Sequence, residues 1–203
     1  MASTFRGHFK TFGEVLEATP DATTYGVSVN ASRTYPHKDF GLLESNLVKE
    51  SNNKVLEYGG STAACWSVFS NNYELDYHIV ETEECCKQGK RMFPEVSFYT
   101  DVPKLDKVDI FYVRSSLQYA EDWKSLLEQV IDNNNPTKII LQNTTTSEDT
   151  FYTVQYYYKN VLPYCYIGKE ELTSFLEAKG YNQTHQKSNN GVVPSNDFVY
   201  EAI

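Results

Sequence analysis

The chain has 203 residues, of which 40% are hydrophobic and 22% are charged, and its formal net charge is −9. This length suits one α/β domain with a substantial buried core. The acidic balance argues against nucleic acid as a partner, because phosphate binding requires a basic face. No stretch approaches the ~18 uninterrupted apolar residues of a transmembrane helix and the N-terminus has no signal core, so we expect a cytoplasmic protein.

The N-terminal part, residues 1–50, is predicted to form a helical cover. Phe5, Phe9 and Phe12 are spaced as in a short helix, and Thr11 followed by Glu14 is typical of a capping box. A loop is expected over residues 30–37 and a second helix over residues 39–49. Three polar residues at 51–53 end that second helix.

Residues 51–203 are predicted to form the core of the domain. Apolar runs alternate with helical patterns, which indicates βαβ units and a parallel sheet covered on both faces. The expected strands are 54–58, 77–81, 96–99, 108–113 and 138–142, and the expected helices are 61–71, 83–92 and 121–131.

The last third of the chain differs in pattern. Residues 152–166 are rich in aromatic side chains, and residues 169–179 predict an amphipathic helix that ends before Gly180. Two strands are expected at 181–186 and 198–202. A helix followed by two strands indicates an antiparallel edge on the sheet, whereas a dehydrogenase nucleotide domain would continue with parallel units.

The four cysteines, Cys65, Cys85, Cys86 and Cys165, show no C-x-x-C spacing. A structural zinc site is therefore not expected, and reduced thiols that pack as small apolar side chains are the favoured interpretation. We predict no metal site in this chain.

A turn rich in small residues follows the first core strand. The strand ends in Glu57, and Gly59, Gly60 and Ser61 precede the next helix. This strand–turn–helix pattern is typical of sites that hold a nucleotide-like cofactor, because glycine allows close approach of the backbone. A tight turn without a ligand fits the same pattern.

Acidic residues close the next strands as well. Glu81 lies 24 positions after Glu57, about where Rossmann-like sheets place an acid that accepts hydrogen bonds from ribose hydroxyls. Thr100 and Asp101 follow the third strand, where an adenine edge would lie. For Asp101, a turn or helix cap ahead of Pro103 is an equal alternative.

The segment Ser115-Ser116-Leu117-Gln118-Tyr119, with Asp122 shortly after it, follows the fourth strand. It resembles the fourth motif of class I S-adenosylmethionine-dependent methyltransferases. More narrowly, the chain resembles a family of proposed bacterial methyltransferases often associated with surface-polysaccharide gene clusters. The resemblance runs nearly end to end, through segments 9–15, 56–61, 78–81, 96–99, 154–155 and 162–165.

This resemblance implies a single Rossmann-like methyltransferase domain over residues 1–203, with a mostly parallel seven-stranded sheet and an antiparallel C-terminal edge. It implies S-adenosyl-L-methionine as cofactor, bound at the glycine turn, the two acids and the end of the fourth strand; with the positions noted above, the predicted cofactor residues are Glu57, Gly59, Gly60, Ser61, Glu81, Thr100, Asp101, Ser115 and Ser116. Three departures from the family pattern are the missing third glycine of the turn, the stretch 142–145 after the fifth strand, and a shorter segment before the first strand.

The acceptor side is less defined by the sequence. We expect a small polar acceptor, for example a hydroxyl of a sugar or sugar nucleotide. Gln118, Tyr119 and Asn143 follow strands four and five, at the edge where open α/β sheets bind ligands. His37 is a candidate base, and Tyr156–Tyr158 are either a stacking wall or core. A catalytically silent domain of the same fold and a nicotinamide-dependent enzyme are the alternatives.

Overall fold

The computed structural model describes residues 4–22, 40–157, 160–190 and 193–203. Along these residues, strands and helices follow one another in the order β1 (Thr4–Phe9), α1 (Phe12–Ala18), α2 (Gly41–Glu44), β2 (Asn53–Tyr58), α3 (Ala64–Phe69), β3 (Leu75–Val80), α4 (Glu83–Met92), β4 (Ser97–Tyr99), β5 (Ile110–Arg114), α5 (Trp123–Asn134), β6 (Lys138–Ser147), β7 (Phe151–Tyr157), β8 (Asn160–Gly168), α6 (Lys169–Ala178), β9 (Tyr181–Asn189) and β10 (Ser195–Ala202). Among them no helix combines the length and apolarity needed to cross a membrane.

Seven strands form the main sheet, in the order β4-β3-β2-β5-β6-β10-β9. The first five are parallel, whereas β10 lies antiparallel between β6 and β9. This arrangement confirms the predicted mostly parallel seven-stranded sheet with its antiparallel C-terminal edge. The sheet order reverses beside β2, so the carboxyl ends of β2 and β5 border the crevice where such folds bind ligands.

The core lies in two layers, one on each face of this sheet. Neighbouring residues of β2 point to opposite layers: Leu56 packs with residues of α5 and α6, and Val55 packs with Phe40 and Phe69. Both strand residues are fully buried. Because both faces are covered, the central strands are almost continuously apolar, which is the pattern that revealed them in the sequence.

Three further strands form an extension that the sequence did not predict. The aromatic-rich stretch is a hairpin, in which β7 and β8 pair antiparallel, and β1 pairs with the outer side of β7. The hairpin joins the main sheet through two parallel pairs between β8 and the last residues of β6. This extension places β8 and α1 above the carboxyl edge of the main sheet.

The N-terminal part is less helical than predicted. Residues 4–9 form a strand rather than part of a helix, and α1 begins at the predicted cap, where Thr11 Oγ1 accepts from the Glu14 N–H at 3.2 Å. The second predicted helix is reduced to the four residues of α2. The side chains of Ser45 and Asn46 donate to the Leu42 carbonyl at 3.0 and 2.9 Å, and such local hydrogen bonds compete with the helix. The predicted loop 30–37, with His37, and Tyr158 lie outside the described residues.

Candidate functional site

The turn between β2 and α3 has an unusual backbone. Gly59, Ser61 and Ala63 all have positive φ, at 76°, 53° and 65°. This left-handed region favours glycine, so Ser61 and Ala63 occupy two positions where glycine would be unstrained. The turn is also tightly packed, because a Cβ atom on Gly59 would lie 2.4 Å from the Cβ of Ser116.

Glu81 is held beside this turn by the backbone. Its Oε1 accepts from the Ser61 N–H at 3.0 Å, and its Oε2 accepts from the Thr82 N–H at 2.7 Å. Charge-assisted hydrogen bonds of this kind fix the orientation of a carboxylate. Each carboxylate oxygen has a second acceptor site, so Glu81 can also accept from hydroxyl groups of a ligand.

Glu57 lies beneath the turn rather than in the cavity above it. Its side chain is 3% exposed, and its Oε2 accepts from the Tyr77 hydroxyl at 2.9 Å. Burial raises the pKa of Glu57 to about 7, although the hydrogen bonds from Tyr77 and Cys65 and the nearby Arg114 guanidinium oppose this shift. The carboxyl group therefore sits in a dry, polar cluster that supports the turn from below.

A cavity of about 440 Å³ runs along the carboxyl edge of the sheet. Its walls come from the ends of β2, β3 and β4, the segment after β5, α1 and β8. The lining residues are Phe12, Leu16, Ala22, Tyr58, Gly59, Val80, Glu81, Thr82, Thr100, Ser116, Tyr119, Glu121 and Pro163. A second cavity of about 420 Å³ adjoins it at Thr100 and includes Asp101 and Lys90 in its wall.

The segment after β5 forms one side of the main cavity. The Ser116 hydroxyl donates to the Tyr58 carbonyl at 2.7 Å, which ties this segment to the end of β2. The Tyr119 hydroxyl donates to Gln155 Oε1 at 2.8 Å, and its ring makes an edge-on contact with Tyr164 at 5.1 Å. Tyr119 therefore presents its ring to the cavity in a fixed position.

Gln118 points elsewhere. It is 4% exposed and is not part of the cavity lining. Its Oε1 has no hydrogen-bond partner among the described residues.

Asn143 and Ser115 both have positive φ, at 52° and 55°. The Asn143 N–H donates to Asp197 Oδ1 at 2.8 Å, and its side-chain oxygen accepts from Asn189 at 3.2 Å. These contacts lie where the register between β6 and β10 shifts, so they stabilise an irregularity of the sheet. The Ser115 N–H bonds the Gln142 carbonyl at 3.0 Å.

The structure thus brings five of the sequence-predicted site residues into one cavity wall: Gly59, Glu81, Thr100, Ser116 and Tyr119. Asp101 lies in the wall of the adjoining cavity. The other predicted site residues among those described lie outside both linings: Glu57, Gly60, Ser61, Ser115, Gln118 and Asn143. His37 lies outside the described residues.

Sequence reasoning missed several residues of the lining. Tyr58, Thr82 and Glu121 each lie one or two positions from a predicted site residue, so their position in the chain was a usable signal. Phe12 and Leu16 belong to α1, a helix that was predicted but was not assigned to the site. Pro163 belongs to the aromatic-rich stretch 152–166, in which no strand was predicted.

No protein-family model and no curated protein matches the chain. Its solved structural relatives include the glycopeptide N-methyltransferase MtfA in complex with S-adenosylhomocysteine (TM-score 0.60, 9% identity, 94% of this chain and 96% of that chain covered). They also include a proposed S-adenosylmethionine-dependent methyltransferase from Listeria monocytogenes (TM-score 0.62, 10% identity, 81% and 98% covered). The chain has the fold of class I methyltransferases.

A third methyltransferase-fold relative is the mitomycin 7-O-methyltransferase MmcR, at a TM-score of 0.59 and 10% identity. The alignment covers 82% of this chain, which spans about half of that enzyme's length, 54%. The described cavity lies at the carboxyl edge of the sheet, the edge at which open α/β sheets bind ligands.

Proposed function

We propose that the protein binds S-adenosyl-L-methionine in the main cavity and transfers its methyl group to a small-molecule acceptor. One observation carries the proposal: the Glu81 carboxylate, held by two backbone N–H groups, lines the cavity next to the Gly59 turn. The fold supports it, since a relative with this fold was solved with S-adenosylhomocysteine.

The residues of the cavity fit this cofactor. The volume of about 440 Å³ lies in the range of small-molecule sites. Glu81 offers acceptors for ribose hydroxyls, while the apolar Val80 and the adjoining cavity at Thr100 offer room for an adenine ring. Gly59 and Ser116, near the centre of the carboxyl edge, are assigned to the methionine end.

The bound cofactor would supply an electrophilic methyl group on a sulfonium, to which an acceptor lone pair would bond while the carbon–sulfur electron pair returned to sulfur and the acceptor released its proton to solvent. The task of this chain is to bind and align the acceptor. We assign this role to the wall formed by Phe12, Tyr119 and Pro163, which lies on the α1 side of the cavity. Of the two other residues predicted from the sequence for this role, Asn143 is held in contacts with Asp197 and Asn189, and Gln118 is buried outside the cavity lining.

The class of acceptor is open within this proposal. The structural relatives include both an O-methyltransferase and an N-methyltransferase. The sugar hydroxyl implied by the sequence resemblance stays a prediction, as does the cytoplasmic location.

Calorimetric titration with S-adenosylhomocysteine tests the cofactor site. Hydrogen bonds to a charged group contribute roughly 1.5–3 kcal/mol, so Glu81→Ala should weaken binding about ten- to a hundred-fold. Glu81→Gln should bind more tightly than Glu81→Ala, because the amide keeps one acceptor. Glu83→Gln is the matched control: it removes an exposed carboxylate that pairs with Lys87 on the adjacent helix, and it should leave the dissociation constant unchanged.

An unchanged dissociation constant in Glu81→Ala would remove the proposed ribose contact. Thermal stabilisation by NAD but not by S-adenosylhomocysteine would favour the nicotinamide alternative, since a ligand at a ~100-fold excess over Kd adds ~2.7 kcal/mol. Binding of S-adenosylhomocysteine without methyl transfer to any acceptor would favour a catalytically silent domain.

A further inference from the structure

We propose that the acceptor is an aromatic compound bearing an amine, and that Glu121 recognises its positive charge. This inference rests on the proposed function, because it assigns the part of the cavity that the cofactor would leave open. It follows from three features of that part: its apolar wall, the sign of its charge and the position of Glu121.

The wall on the α1 side consists of flat or apolar side chains. Phe12 and Leu16 come from α1, Pro163 comes from β8, and Tyr119 comes from the segment after β5. The Tyr119 hydroxyl is engaged with Gln155, and the Phe12 ring makes an edge-on contact with Tyr152 at 6.3 Å. Fixed aromatic rings and a proline bind a planar apolar group well, because aromatic pairs prefer stacked or edge-on contacts.

The charged residues among the described cavity lining are both acidic, Glu81 and Glu121. They lie at different places along the crevice. Glu81 follows β3 and Glu121 follows β5, and these strands flank β2, so their ends are about 10 Å apart. With Glu81 assigned to the cofactor, Glu121 is the charge on the acceptor side.

Glu121 is available for a ligand, whereas its neighbour is not. Asp122 caps α5, where its Oδ1 accepts from the Lys124 and Ser125 N–H groups at 3.0 and 3.1 Å. The Glu121 carboxylate is exposed, and no hydrogen bond or ion pair joins it to another described residue. A carboxylate in this position attracts an ammonium group and repels a phosphate or carboxylate. The wall and Glu121 together therefore favour a ring compound with a protonated alkylamine group over a sugar nucleotide.

Three probes that share one ring and differ in charge test this inference: 2-phenylethylamine, 2-phenylethanol and 3-phenylpropanoate. Each is titrated at pH 7 into the protein saturated with S-adenosylhomocysteine, with glucose 1-phosphate as the sugar probe. We expect the amine to bind about three- to tenfold more tightly than the alcohol. An exposed ion pair with Glu121 and a contact between the ammonium group and an adjacent ring together contribute an affinity gain of this size. The carboxylate and the sugar phosphate should bind more weakly than the alcohol.

Variants of Glu121 assign the preference to one side chain. Glu121→Gln should bring the amine and the alcohol within about twofold of each other, and Glu121→Lys should make the carboxylate the tightest of the three ring probes. Glu95→Gln is the control, because Glu95 is exposed, precedes β4 and lies away from the cavity. This substitution changes the net charge by the same amount as Glu121→Gln. That variant should keep the wild-type order.

The inference is overturned if glucose 1-phosphate binds most tightly, if none of the ring probes binds, or if Glu121→Gln leaves the order unchanged. Titration with S-adenosylhomocysteine alone separates these results from a failure of the proposed function. A protein that does not bind S-adenosylhomocysteine refutes the cofactor site itself, whereas one that binds it with the wrong probe order refutes only the acceptor class.

Discussion

Gly60 lies directly against the buried carboxyl group of Glu57. A Cβ atom on Gly60 would come within 2.5 Å of Glu57 Oε2 and 2.7 Å of its Cδ. The turn and the buried acid are therefore packed as one unit, and the space beside Gly60 is filled by Glu57. The sequence suggested that contact with a cofactor requires a glycine here, but the nearest constraint comes from within the protein.

Substitution of Gly60 by alanine should therefore destabilise the fold. Overpacking of a buried site costs roughly 1–3 kcal/mol, and the Glu57 carboxyl cannot move without loss of its Tyr77 hydrogen bond. In the double variant Glu57→Ala/Gly60→Ala the clash is absent, so the two effects should not add. Urea unfolding of the four proteins measures this coupling, and additive free energies of unfolding would contradict the contact.

Glu57 should make stability depend on pH. Its pKa in the folded protein, about 7, lies above its ordinary value of 4.5, so the folded state retains this proton longer than the unfolded state. Stability is then lost as pH rises from about 4.5 to about 7, by about 3 kcal/mol from this group. Glu57→Gln lacks the titration, so its free energy of unfolding relative to the wild type should rise by about that amount across this range.

The comparison between the two proteins removes the contribution of other groups. Asp122 has a lowered pKa because it accepts hydrogen bonds from Ser125, so its contribution is lost as pH falls, in both proteins alike. Urea unfolding at pH 4.5 and at pH 8 gives the difference in free energy of unfolding between wild type and Glu57→Gln at each pH. A constant difference between wild type and Glu57→Gln would show that folding does not raise the pKa of Glu57.

Ser61→Gly should stabilise the protein. Ser61 is half-buried with a φ of 53°, and relief of left-handed strain of roughly 1–2 kcal/mol exceeds the entropy that glycine adds to the unfolded chain. The expected gain is about 0.5–1 kcal/mol. Ala63→Gly is the contrast, because Ala63 is fully buried and loss of its methyl group offsets the relief. Thermal unfolding measures the stability of both variants. If Ser61→Gly were less stable than the wild type, backbone strain at Ser61 would be contradicted.

The central sheet could be predicted because its signals are local. The helix α4 matched its predicted bounds, 83–92, since charged residues of the favourable sign occupy both ends. Each parallel strand was an apolar run bounded by polar residues, and burial on both faces gives that pattern directly.

The β7–β8 extension could not be predicted in the same way. Pro163 lies inside β8, paired with Val154, and a proline within a run argues against a strand. In β1, the exposed and half-buried residues do not alternate, because Gly7 has a φ of 84° and the register shifts between Arg6 and Phe9. These strands depend on pairing partners distant in the chain.

One wall of the candidate site could be predicted from the sequence and the opposite wall could not. Gly59, Glu81 and Ser116 follow strands of the parallel sheet, so their positions in the sequence predict that they converge. The opposite wall depends on where α1 and β8 pack, which no local pattern contains. Glu121 and Asp122 are adjacent acids in the sequence, and only the cap of α5 distinguishes their roles.

Asn143 provides the last prediction, because its surroundings favour a structural role over the acceptor role predicted from the sequence. Its φ of 52° and the Asp197 contact to its N–H suit an asparagine or glycine. Asn143→Ala should lose about 1–2 kcal/mol of stability, through strain and loss of the Asn189 hydrogen bond. Asn143→Gly keeps the backbone unstrained and should be the more stable of the two. Both should bind S-adenosylhomocysteine like the wild type. If instead Asn143→Ala unfolds like the wild type and loses methyl transfer alone, the residue orients the acceptor.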